Sequence, residues 1–328
     1  PHFQNSGGCA DVRHRAMVNM TSSPIYRAPA VSDLLNTVPT LFGFVPEESL
    51  IGICLNGEKR RFGFRLRLDL PDADARESTA QLVAGHLEHN DGDRVILLGL
   101  SQDPARAEAM VRAVSTHLTN KQVEYCLWAT NTQWWSTDNT SGSDWCRDPA
   151  HESIVKAVSN GQVIHEDRSS IAREFTSSLT PRDVVEFERA QHAFQVKRER
   201  GQTTAVSSGI AAVEQMLSAV RAGHVATIEE LVTIALWLEN LLVRDHFWFL
   251  IEREGARESL DIWTYIASRL PGRLRCAPLA LASFCAWQVG DGVRTLMAAE
   301  AALREVRDYS MALLMLRVIE QGLPPTAW

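Results

Sequence analysis

The apolar residues of this 328-residue chain change rhythm part-way along, and that change constrains the fold more than any motif does. Up to about residue 165, strand-like and helix-like segments alternate. Beyond about residue 180 the spacing is helical almost to the end. In the first part, "SLIGICLN" reads as a strand, and Asn56-Gly57 is a favoured pair for a two-residue type I′ hairpin turn. The partner strand follows, with Phe62, Phe64, Leu66, Leu68 and Leu70 on one face by period two and Arg61, Arg65, Arg67 and Asp69 on the other. Upstream, Ser32 or Asp33 caps a helix carrying Leu34, Leu35 and Val38, which Pro39 and Pro46 keep short or broken.

"DADARESTAQLVAGHLEHN" is the next helix, and "RVILLGLS" is a strand whose unbroken apolar run implies that both its faces are covered. "DPARAEAMVRAVSTHLTN" is a helix capped by Asp103, "VEYCLWAT" a strand, "QWWST" a short edge strand, and residues 138–150 a polar surface loop. This order implies an α/β domain: a mixed sheet with right-handed parallel crossovers, opened by an antiparallel hairpin.

"ESIVKAVSNGQVIHEDRSSIAREF" then gives two short helices with a turn at Asn160-Gly161, and Thr180-Pro181 opens a long one. Further helices are expected over about 204–222, 227–253, 256–270, 277–289, 292–306 and 309–321, punctuated by Gly223, Gly255, Pro271-Gly272 and Gly290. Such spacing suits antiparallel helical hairpins. In the last stretch, small residues beside large ones resemble a tetratricopeptide-like hairpin, where alanines let helices approach closely. The organisation expected is a leader over 1–24, an α/β domain over 25–165 and an all-helical domain over 166–328.

Several classes of function find no support. A formal net charge of −7 argues against a dedicated nucleic-acid binder, whose affinity comes from neutralising phosphates. The six cysteines include no C-x-x-C pair, so a structural zinc site is unsupported. Cys54, Cys126, Cys276 and Cys285 lie in apolar runs as small hydrophobes, which suits a reducing cytoplasm. No apolar run reaches the roughly 20 residues that cross a bilayer. The longest is broken by Glu239, Asn240, Arg244 and Asp245. Phosphate loops, dinucleotide fingerprints and the G-x-S-x-G elbow are absent, so no catalytic signature and no cofactor is expected.

A few candidates remain. Arg65 and Arg67 stand about 7 Å apart on one strand face. With Arg61 they suit a phosphate or the carboxylates of a partner, unless they form a solvated edge that resists aggregation. Trp134 and Trp135 face opposite sides of a strand, one packing inward and the other offered as a contact. Ser101 and Gln102 follow a buried strand and precede a helix, where open α/β sheets place ligands. Cys146 with Asp148 and His151 is a possible thiol group, although a loop cysteine beside polar residues is more often incidental. His86 and His89, one helical turn apart, read as a solvated helix end before they read as metal ligands.

The segment "SDLLNTVPTLFGFVPEESLIGICLNG", the strand ending "LRLDLP", the later "WWS" and "LVRD", and the ending "GDG…A…DYSMALLMLRVIEQGLPP" together resemble the actinobacterial domain of unknown function 4192 family, over about 32–325. The resemblance implies a cytoplasmic actinobacterial protein and supplies no mechanism. Relatives tend to carry a cysteine-rich segment after the Trp-Trp-Ser element, where this chain has "DWCRDPAHES" and keeps only Cys146. The expected function is recognition or scaffolding of a protein partner or of a second copy. The alternatives are an enzyme site at the strand ends near Ser101, Trp134 and Cys146, and nucleic-acid or phosphate binding by the arginine hairpin.

Overall fold

The computed structural model describes residues 30–201 and 205–328, so the leader expected over 1–24 lies outside the described residues. The first part contains α1 (Val31–Phe42), β1 (Ser49–Asn56), β2 (Arg61–Asp69), α2 (Arg76–His89), β3 (Arg94–Leu100), α3 (Pro104–His117), β4 (Gln122–Ala129), β5 (Gln133–Ser136) and β6 (Ser143–Asp144). The strands form one mixed sheet in the order β2-β1-β3-β4-β5-β6. β3 and β4 pair in parallel, while β1 is antiparallel to both β2 and β3. β2 and β3 therefore run the same way, and the chain returns through α2 past β1.

Local chemistry sets these limits. The Asp103 carboxylate accepts the N–H groups of Ala105 at 3.1 Å and Arg106 at 3.2 Å, with Pro104 at the first helical position. α1 begins before the expected cap: Asp33 lies inside it, and its carboxylate accepts the Ala30 N–H at 3.1 Å. The helix also runs through Pro39 to Phe42, because a proline near the end forfeits only one backbone bond. Gly43, with φ 75, closes it by donating to the Pro39 carbonyl at 2.9 Å.

The hairpin differs from the two-residue turn expected at Asn56-Gly57. Gly57 to Arg60 all lie in the connection, with φ 66 at Gly57 and 49 at Arg60. The register then shifts from Leu55 opposite Phe62 to Ile53 opposite Arg65, a β-bulge that adds one residue to β2. An extra residue reverses the faces beyond it. Phe62 accordingly packs with Ile53, Leu55 and α1, whereas Phe64, Leu66 and Leu68 pack against α2 and α3 on the other side. The single apolar face expected for β2 is thus split at the bulge. α1 covers one side of the sheet and α2 with α3 the other, which explains the continuous apolar runs of β1 and β3.

α4 (Glu152–Ser159) follows β6 and packs on α1, and the second part is then helical: α5 (Arg168–Glu174), α6 (Pro181–Glu199), α7 (Val206–Arg221), α8 (Ile228–Leu238), α9 (Leu241–Phe249), α10 (Ala256–Ser268), α11 (Cys276–Gln288), α12 (Gly292–Glu305) and α13 (Ser310–Glu320). Thr180 with Asp183, and Thr227 with Glu230, form reciprocal caps on α6 and α8. The single helix expected over 227–253 is two. Glu239 and Asn240 interrupt it, and the Asn240 side chain caps α9 by accepting the Leu242 N–H at 3.0 Å. α11 is buried along its whole length, as an all-round apolar helix must be, with α8, α9, α10, α12 and α13 packed around it. Ala280, Ala282 and Ala286 of α11 and Ala298, Ala299 and Ala302 of α12 share this core. Trp237, Trp263 and Trp287 are buried there too.

Gly209 of α7 lies beneath Trp237, where an added Cβ would sit 2.4 Å from Cε3 of the indole. Gly209→Ala is expected to destabilise the fold by about 1–3 kcal/mol through overpacking, read as a lower urea midpoint with unchanged slope.

Candidate functional site

The arginine ladder is taken up inside the molecule. Arg65 donates from Nε to the Leu41 carbonyl at 2.9 Å, at the end of α1, where a cation complements the helix dipole. Burial depresses the basicity of its guanidinium, and the charge of Asp291 partly offsets this. Arg67 donates from Nε to Ser49 Oγ at 2.8 Å, pairs with Asp69 at 2.6 Å and lies over the Phe44 ring at 5.6 Å. Burial lowers its basicity too, against the pull of Asp69. Arg65 and Arg67 are therefore neither a solvated edge nor an open phosphate clamp, because α1 and the helical part lie over that face, and Arg61 alone of the three stays exposed at the surface.

The loop after α1 makes the junction. Phe44 is buried within the helical core. Its neighbours join His165, with Val45 N–H donating to the His165 carbonyl at 3.0 Å and His165 N–H to the Gly43 carbonyl at 2.8 Å. Beside them Arg294 donates to Glu174 at 2.7 and 2.9 Å and to Asp291 at 2.8 Å, and His165 Nε2 lies 2.8 Å from Glu174. Burial alone would weaken the Arg294 guanidinium, but Glu174 and Asp291 outweigh it and hold the charge firmly. This cluster ties the two parts together.

A concave site lies at the carboxyl ends of β3 and β4, the position that open α/β sheets offer to ligands. Its walls are Pro46, Glu47 and Glu48 before β1, Leu100 to Gln102 after β3, Ala129 to Asn131 after β4, and Trp145 with Arg147 from the loop after β6. The cavity measures about 40 Å³. Glu48 has φ 39, left-handed backbone that is uncommon outside glycine. Its carboxylate accepts from Ser101 Oγ at 2.9 and 3.0 Å, from Gln102 N–H at 3.0 Å and from Arg106 at 3.3 Å.

The anion position expected at Ser101 and Gln102 is therefore filled by the protein's own Glu48. Ser101 Oγ also accepts the Asp103 N–H at 3.0 Å and the residue is buried, which makes its hydroxyl a brace for the loop. Arg147 is different. It is half-buried, and among the described residues its guanidinium has no hydrogen-bond or ion-pair partner. Burial depresses its basicity, with Glu47 pulling the other way. The side-chain amides of Gln102 and Asn131 are likewise unengaged among the described residues. The Trp145 indole forms a fixed wall, its Nε1–H donating to the Thr130 carbonyl at 3.0 Å.

The other candidates separate. Trp134 and Trp135 do face opposite sides, but both are half-buried, one against the α1 side of the sheet and one against α2 and α3. His151 does not serve Cys146: its ring lies 2.8 Å from Ser153 Oγ and 3.4 Å from Asp33, fastening α4 to α1. His86 lies against the turn at Gly322, with burial and then the charge of His89 lowering its basicity. Among the described residues no three His, Cys, Asp or Glu side chains gather where a metal could sit, and no helix is long and apolar enough to cross a membrane.

Cys146 is exposed, whereas burial pushes the thiols of Cys126 and Cys276 up to about 11 and those of Cys54 and Cys285 upward as well. A maleimide is expected to label Cys146 within minutes and to leave those four untouched until the protein unfolds. Peptide mass spectrometry would read this out.

The sequence did not point to Glu48, Arg106 or Arg147. Arg147 had one signal, a cation beside a tryptophan in a turn-rich loop; the part played by Glu48 depends on a backbone twist that no residue pattern announces. No curated protein matches the chain, and no solved structure does. A family model described as "Domain of unknown function (DUF4192)" matches residues 32–326, taking in the sheet and the helices as one unit. The chain belongs to that family.

Proposed function

We propose that the protein is a recognition module of the cytoplasm, and that the cleft at the ends of β3 and β4 is where it holds a protein partner. One observation carries this reading: in that cleft Gln102, Asn131 and Arg147 present polar groups that the fold leaves unengaged among the described residues. Unengaged polar groups gathered beside an aromatic wall are what a binding site requires. The cleft brings no free nucleophile next to a base, since Ser101 and Glu48 are spent on each other and on the loop. The unpaired thiols of Cys54, Cys126, Cys276 and Cys285 suit a reducing compartment.

The test is quantitative affinity capture from a lysate of the source organism, comparing the wild-type chain with Asn131→Ala and Trp145→Ala. Proteins held by the wild type and released by both variants are the expected result. An identical set from all three baits, or a monomer that holds nothing, would count against the reading.

A further inference from the structure

We propose that the cleft binds a carboxylate of an acidic peptide segment, gripped by the guanidinium of Arg147; this rests on the reading of the cleft as the recognition site. Size comes first. About 40 Å³ accommodates a carboxylate in place of one or a few waters, while a whole metabolite needs a pocket several times larger. The ligand must therefore enter by a small terminal group and leave its bulk outside, as a side chain of a larger partner does.

Charge comes second. Five carboxylate or guanidinium groups bear on the cleft: Glu47, Glu48, Arg106, Asp103 and Arg147. Glu48 is matched by Arg106 and by the Ser101 and Gln102 donors, and Asp103 is spent on the start of α3. That leaves Glu47 and Arg147, both on the cleft wall, with no ion pair between them within 4.0 Å. A partly desolvated guanidinium with a planar fork of free donors matches a carboxylate edge-on, and a charge-assisted pair of this kind is the strongest contact on offer. Gln102 and Asn131 supply neutral amide donors around it. The Trp145 indole offers a flat wall for the adjoining methylenes.

Glu47 provides a control of opposite sign. It is exposed on the same cleft wall, and its charge opposes an incoming anion. Removing the Arg147 charge should weaken binding at least tenfold, and removing the Glu47 charge should strengthen it.

The experiment follows the Trp145 indole N–H resonance of the full chain by NMR, assigned with Trp145→Phe, during titration with acetate, a blocked Asp-Glu dipeptide, acetamide and inorganic phosphate. Saturable shifts with acetate and with the dipeptide are expected, weakened at least tenfold in Arg147→Ala and tightened severalfold in Glu47→Gln, with acetamide inert. Unchanged thermal midpoints would show that both variants are folded. Absence of a saturable shift, equal shifts in Arg147→Ala, or tighter binding of phosphate than of acetate would overturn the carboxylate assignment. If captured partners depend on Asn131 and Trp145 but not on Arg147, the ligand class is wrong and the recognition reading stands. If nothing depends on the cleft, both fall.

Discussion

Arg294→Ala is expected to cost the protein about 3 kcal/mol, because it strips the counter-charge from half-buried carboxylates and not because it shortens a side chain. The Arg294 side chain is 12% exposed, and it is shared by Glu174 and Asp291. Asp261 lies in the same field, its carboxyl already pushed up by burial. Without the guanidinium, Glu174 keeps its contact with His165, while Asp291 keeps the backbone N–H at position 294 and the more distant charge of Arg65. The pH dependence separates this cause from lost packing. In the variant the carboxylates of this cluster lose their main counter-charge, and Asp261, already pushed up by burial, loses the Arg294 charge that draws it down. Their penalty is then present near neutrality and relieved as pH falls toward the carboxylate range, about pH 4. A urea-denaturation series from pH 7 to 4 should show the gap to wild type closing. A gap constant across that range would mean that the guanidinium acts by packing alone.

Phe44→Ala should be comparably severe, at about 3–5 kcal/mol, and its damage should be spread over both parts of the chain. Phe44 is 2% exposed, sits in the helical core, and carries Arg67 over its ring. Loss of the ring opens a cavity among the helices and releases the loop that feeds Glu47 and Glu48 into the cleft. Hydrogen exchange should accelerate in α12 and at the start of β1 together. Phe249→Ala is the matched control: that residue is 79% exposed, and an exposed ring of the same size should change stability by no more than about 0.5 kcal/mol. Equal effects of the two substitutions would refute the assignment of Phe44 to the core.

Most elements could be read from the residues because their signals are local. Asp103 before Pro104, the Thr180 and Thr227 caps, and the unbroken apolar runs of β1 and β3 each act within a turn or a strand. Where the reading failed, distant structure decided. The period-two ladder of β2 is plain in the letters, yet the bulge moves Phe62 across the sheet, and α1 then covers the face that carries Arg65 and Arg67. An arginine on a strand looks the same whether water or a helix end will meet it. The cleft was legible only as a location, the strand end at Ser101. Its working groups come from four separate loops, and the pairing of Glu48 with Ser101 spans 53 positions of sequence. Patterns within a window cannot encode such a meeting.

The stitch between Phe44 and His165 bears on how this chain could be taken apart. A break in the backbone between α3 and α5 would leave each fragment holding half of a seam: one with an aromatic plug, the other with the socket and its ionic clasp. Neither piece would be complete, so fragments produced separately should each behave poorly and recover when mixed. The molecule is thus suited to splitting and reconstitution in trans, and ill suited to trimming down to a minimal half.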